Sequence, residues 1–156
     1  MIMKNFPIEV ITESPGETEG IGRVLAKLIC EDTDVPRFVA MYGDLGVGKT
    51  AFVRGFCSEL CPGVTVKSPT FAIVNEYRCS LDTAAIKKVC HFDMYRVTDE
   101  DDLYSIGFDD YLVESNICIL EWCEMIPYAL PDEYVEVRIE KLDLNSKRKI
   151  TIGLVI

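Results

Sequence analysis

At 156 residues, with 49% hydrophobic and 27% charged residues, the chain has the length of one compact domain and ample apolar material for its core. No stretch approaches the roughly 18 consecutive apolar residues of a membrane span, and MIMKNFPIEVITES lacks the apolar core and cleavage site of a secretory signal, so a cytoplasmic location is expected. A formal net charge of −10 disfavours tight, unaided binding to nucleic acid, which depends on cationic contacts to phosphates, so any such role should pass through a partner.

IEVIT, residues 8–12, reads as a first strand. In residues 14–29, Ile21, Val24, Leu25 and Leu28 recur at helical spacing. The polar turn EDTDVP then leads to Phe38–Tyr42, a short apolar run that reads as a buried strand. Next comes GDLGVGKT, in which Gly43, Gly48, Lys49 and Thr50 fit G-x-x-x-x-G-K-[ST] without a mismatch. An apolar-periodic helix follows as far as Leu60, so the motif has the strand–loop–helix context it requires. Residues Gly43, Asp44, Leu45, Gly46, Val47, Gly48, Lys49, Thr50 and Ala51 are therefore assigned to nucleotide binding. Glycines let backbone N–H groups turn around the phosphates, and the helix N-terminus adds partial positive charge. Lys49 supplies a point charge, and the Thr50 hydroxyl a ligand for Mg²⁺.

CPGVTVKSPTF is an irregular connection before a strand at residues 72–77. Within it Thr70 of SPTF either reaches Mg²⁺ or the γ-phosphate when ordered, or merely belongs to a Ser-Pro turn opening the strand. IKKVCHFDMY forms another strand ending near Asp93. TDEDDLYSIGFDDYLVES follows as a helical segment, with Thr98 as its N-cap and acids in the first turn. The four consecutive apolar residues of NICILEW mark a strand buried on both faces. YVEVRIE and KRKITIGLVI alternate around the turn residues LDLNS, as an antiparallel pair does. The sum is a single α/β domain over residues 1–156, of P-loop nucleoside-triphosphatase type. Its sheet is mostly parallel at the centre, antiparallel at the margins and covered by helices on both faces.

Hydrolysis needs more than a phosphate loop: a carboxylate to organise magnesium and a group to position water. Ligands of open α/β sheets lie beyond the carboxyl ends of the strands. Asp93 closes VCHFD and Glu121 closes ICILE, so these two acids are the candidates, Asp93 for Mg²⁺ and Glu121 for the water or a Mg²⁺-linked role. Trp122 after Glu121 is expected in the core. The seven cysteines, an odd number without a secretory signal, point to reduced thiols in packing roles, and the only histidine, His91, completes no metal site with them.

GDLGVGKTAFVRG, SPTFAIVNEY, HFDMYR, GFDDYL and ILEW occur in an order and at spacings that resemble the TsaE (YjeE) family over nearly the whole chain. That resemblance implies an ATPase of bacterial tRNA threonylcarbamoyladenosine synthesis at position 37 of tRNAs reading ANN codons. It also implies two protein partners, TsaB and TsaD, with TsaD transferring the threonylcarbamoyl group and tRNA reached only through the complex. Lys49 and Thr50 match the family's phosphate-loop residues, Thr70 its switch threonine, Asp93 its magnesium-linked aspartate and Glu121 the acid of its Glu-Trp motif. Ala51 stands where the family usually has a hydroxyl residue, Cys123 where it usually has proline, and Lys67 where a small polar residue is usual. Arg54 and Arg96 are the arginines nearest the motifs, and each reads as structural rather than as an arginine finger. ATP and Mg²⁺ are the expected cofactors, and activity without the partners is expected to be weak. A P-loop small-molecule kinase, which needs a lid and an acceptor pocket, and a non-hydrolysing nucleotide sensor are the alternatives.

Overall fold

A computed structural model describes residues 6–70, 72–79 and 85–156; Phe71 of the SPTF segment lies outside the described residues. In chain order the elements are β1 (Ile8–Thr12), α1 (Pro15–Glu31), β2 (Phe38–Tyr42), α2 (Lys49–Leu60), β3 (Val74–Arg78), β4 (Lys88–Asp93), α3 (Glu100–Ser105), α4 (Phe108–Tyr111), β5 (Asn116–Glu121), β6 (Tyr134–Lys141) and β7 (Arg148–Val155). The strands join one sheet in the order β1-β7-β6-β2-β5-β4-β3. Its centre is parallel, through the pairs β2–β6, β2–β5 and β4–β5, and its outer pairs β1–β7, β6–β7 and β3–β4 are antiparallel. This is the α/β arrangement expected from the alternation of strand and helix patterns.

Strand parity divides the apolar residues between two faces. On β2, Val39 and Met41 join Ile117 and Ile119 of β5 in a core beneath α1 and α2, filled by Leu25, Ile29, Phe52 and Phe56. Phe38 and Ala40 point the other way, with Leu120, Phe92, Leu103 and Phe108 beneath α3 and α4. Each large side chain buried in this way contributes about 1.5–3 kcal/mol.

Helix α1 lies where the helical spacing placed it, and Ser14 is its N-cap, the hydroxyl accepting from Glu17 N–H, with Pro15 in the first turn. The acidic segment differs from expectation. Asp99, not Thr98, caps α3 by accepting from Asp102 N–H at 2.9 Å, while the Thr98 N–H and hydroxyl both donate to the Asp102 carboxylate. Two candidate caps stand side by side in Thr-Asp, and the one whose carboxylate reaches Asp102 N–H wins. The expected helix is also broken in two, because Gly107 turns left-handed at φ 70°.

Helices α1 and α2 cross without side chains at their closest points. A Cβ on Gly22 would lie 2.2 Å from Phe52 O, and one on Gly55 would lie 1.9 Å from Glu19 O. The backbones are therefore in van der Waals contact, and the start of α2 is fixed against α1. Replacing Gly55 by alanine is expected to lower stability by about 1–3 kcal/mol despite alanine's better helix propensity. Gly153→Ala, where the added methyl meets open space, should leave stability unchanged or slightly higher. Urea denaturation of the two variants checks the contrast.

Candidate functional site

The loop between β2 and α2 is shaped by backbone contacts. Gly43, Gly46 and Gly48 have φ of 151°, 77° and 113°, and a Cβ on Gly43 would fall 2.6 Å from Ile139 O. Arg148, at the start of β7, reaches across to the loop: its Nε donates to Val47 O at 2.9 Å, and Nη1 to Asn145 O at 3.0 Å. With that carbonyl held from outside, the loop's conformation is tied to the β6–β7 hairpin. Lys49 is buried, and its ammonium donates to Gly43 O at 2.7 Å and lies 4.6 Å from the centre of the Trp122 ring. Thr50 follows it, half-buried in the first turn of α2, while Asp44, Leu45 and Gly46 form the exposed tip.

Beside this loop the carboxyl ends of β4 and β5 come level. Asp93 is the register partner of Glu121, and both acids are buried, 6% and 5% exposed. They share the sheet face that carries Val89, Ile117 and Ile119 toward α1 and α2. Asp93 accepts from Tyr95 N–H at 2.9 Å and from the Thr70 hydroxyl at 3.4 Å; Thr70 in turn lies 2.7 Å from the Ser68 hydroxyl. Thr70 thus stands beside the aspartate at the end of β4. Glu121 Oε2 accepts from His91 Nε2–H at 2.7 Å. His91 Nδ1 is sealed from solvent and has no hydrogen-bond partner among the described residues, a cost of about 1–3 kcal/mol.

Two residues bordering the acids have backbones that side chains seldom adopt. Trp122 sits at φ 60°, ψ 41°, and Ile73 at φ 68°, unusual for a β-branched residue. Ile73 O accepts from Asp93 N–H, and Met94 N–H donates to Glu121 O, so both strand ends are tied to neighbouring turns. The left-handed step at Trp122 turns its half-buried ring over Lys49 and to 5.0 Å from the Tyr95 ring. Trp122 thus packs against the core beneath α3 and α4, as expected, and contacts Lys49 as well. After it Cys123–Met125 form a short 3₁₀ turn. Arg54 pairs with Glu19 of α1 at 3.0 Å, as a structural arginine does, and Arg96 is exposed.

The donors suit Mg²⁺, which favours oxygen and is usually held by one or two carboxylates together with substrate phosphates. Thr50, Thr70, Asp93 and Glu121 supply hydroxyl and carboxylate oxygens, and among the described residues no three His, Cys, Asp or Glu side chains gather around a point that would hold a metal without substrate. A cleft of about 180 Å³ opens beside the loop at Ser14, Thr18, Gly48, Ala51 and Asn145. Larger clefts lie elsewhere, among them one of about 430 Å³ at the opposite end of β2 and β5, near Arg37 and Asn116, and one of about 1050 Å³ along α3 and α4. Three residues of this neighbourhood were not foreseen in these roles. Position i, i+2 on one strand face could have linked His91 to Asp93, and Trp122 follows Glu121 directly; Arg148 carries no local signal.

The family model described as "Threonylcarbamoyl adenosine biosynthesis protein TsaE" matches residues 12–150. The tRNA threonylcarbamoyladenosine biosynthesis protein TsaE of Rickettsia conorii is 35% identical over 129 residues, covering 82% of this chain and 70% of that protein. The protein of the same name from Bacillus subtilis is 34% identical over 146 residues, covering 92% and 84%. The crystal structure of Bacillus subtilis YdiB superposes with a TM-score of 0.75 at 28% identity, over 96% of this chain and 86% of that one.

The cysteines gather no metal among the described residues, but their thiols differ. Burial pushes Cys57 and Cys123 up to about 12. Cys79 is half-buried and lies 3.3 Å from Cys61 Sγ, and accepting that thiol's hydrogen lowers its own pKa. Since the thiolate is the reactive form, iodoacetamide at pH 8 should label Cys79 more than about 100-fold faster than Cys57 or Cys123 in the native protein. Peptide mass spectrometry over a time course measures the ratio, and equal rates would contradict this account.

Proposed function

The chain belongs to the TsaE family of tRNA threonylcarbamoyladenosine biosynthesis proteins, and from that premise we propose that it is a Mg²⁺-dependent ATPase, slow alone and stimulated by TsaB and TsaD. The observation that carries this reading is the pair of buried carboxylates, Asp93 and Glu121, side by side next to the phosphate loop. Nucleotide binding alone would not call for two such acids there.

On this reading the phosphates of ATP meet the inward N–H groups of residues 43–50, and Lys49 exchanges Gly43 O for a phosphate oxygen. The cleft beside Gly48 and Ala51 receives the nucleoside side, and Ala51 contributes no hydroxyl to the α-phosphate. Thr50 and Asp93, with Thr70 hydrogen-bonded to Asp93, would hold the metal. When bound, Mg²⁺ neutralises charge on the β- and γ-phosphates. Glu121 accepts a hydrogen bond from the attacking water and aims it at the γ-phosphorus. Arg54 is committed to Glu19, and an arginine finger is worth about 10³–10⁵ in rate, so turnover without partners is slow. The net charge of −10 fits a cytoplasmic component that reaches tRNA only through its complex.

Phosphate release from ATP, measured with and without TsaB–TsaD, should be slow alone and rise with the partners. Lys49→Ala should abolish it. Glu121→Ala should lower it by about 10²–10⁴ while nucleotide still binds. Bound ATP that stays intact with partners present would overturn hydrolysis and leave a nucleotide sensor; a phosphorylated metabolite in place of free phosphate would indicate a kinase.

A further inference from the structure

His91 lies between Val89 and Asp93 on one face of β4, opposite Ile119 of β5, in a position where an aliphatic side chain would pack as its neighbours do. It is fully buried. Its Nδ1 has no hydrogen-bond partner among the described residues, and its one side-chain hydrogen bond is the 2.7 Å contact from Nε2 to Glu121 Oε2. A residue serving only to fill the core would not leave a ring nitrogen bare. Glu121, for its part, stands beside the Asp93 carboxylate, and like charges on adjacent strands repel. Left alone, the Glu121 side chain would swing away from its neighbour. The contact crosses diagonally from β4 to β5, and Glu121 Oε1 makes no hydrogen bond to the protein among the described residues.

We propose that His91 is a positioning residue for the hydrolysis described above: Nε2–H pins one oxygen of Glu121 so that the other faces the phosphate loop. The proposal rests on the ATPase reading, and the experiment separates the two. His91→Leu removes the donor. His91→Gln places an amide N–H near the same point. With TsaB–TsaD present, His91→Leu should lower kcat for phosphate release by about 10- to 100-fold with KM for ATP little changed, the expected consequence of a misaimed group. His91→Gln should restore most of the rate, and adding His91→Leu to Glu121→Ala should cost nothing further. Because this is the only histidine in the chain, its ring ¹⁵N resonances report the contact in the folded wild-type protein. Nε2 should carry the proton, and Glu121→Ala should shift that resonance.

Several outcomes would overturn the proposal alone: full activity in His91→Leu, failure of His91→Gln to rescue, an undiminished loss in the Glu121→Ala background, or a ring proton on Nδ1. Undiminished phosphate release by Glu121→Ala would instead remove the role of Glu121, and the positioning role with it.

Discussion

The parallel register between β4 and β5 is the constraint on which the site depends. It sets Asp93 opposite Glu121, so two carboxylates end at one level beside the phosphate loop. A slip of one residue would turn one acid to the other face of the sheet. The register is held by residues that have no chemistry of their own. Cys90, Phe92, Cys118 and Leu120 bury one face, and Val89, Ile117 and Ile119 the other. The level at which the two acids end is thus a consequence of apolar packing along the strands.

The surroundings of these acids are under more strain than the sheet beneath. Trp122 and Ile73 both adopt positive φ, conformations that cost about 1–3 kcal/mol each and persist where the fold over-determines them. Each has a compensating position. The Trp122 turn swings its ring over the Lys49 ammonium, and the Ile73 carbonyl closes on Asp93 N–H. Lys49 itself donates to Gly43 O, so its buried charge is solvated by backbone. The cation is thus held in place by the carbonyl and the Trp122 ring rather than extended into water.

Much of this was legible in the sequence because strand parity and motif spacing are local signals. The glycine-rich turn between β2 and α2, the strand-end acids and the parallel centre with antiparallel margins all follow from patterns a few residues long. The α3 cap and the helix break were misread because Thr98 and Asp99 compete as neighbours, and Gly107 decides by its conformation. His91 was set aside for want of metal-binding company, when its partner was a carboxylate on another strand. The Arg148 contact joins residues 101 apart, and no local pattern records such a meeting.

That contact has a consequence for the order in which the chain can assemble. Residue 148 leaves a ribosome some hundred residues after the loop it touches, and β7 is also the strand on which β1 pairs. β1 and the Val47 carbonyl of the loop, both made early, thus wait for the β6–β7 hairpin for their partners. Vectorial synthesis leaves the nascent chain holding a loop sequence without its brace. A chain lacking β7 would therefore carry the loop sequence without its Arg148 contact and β1 without its partner strand.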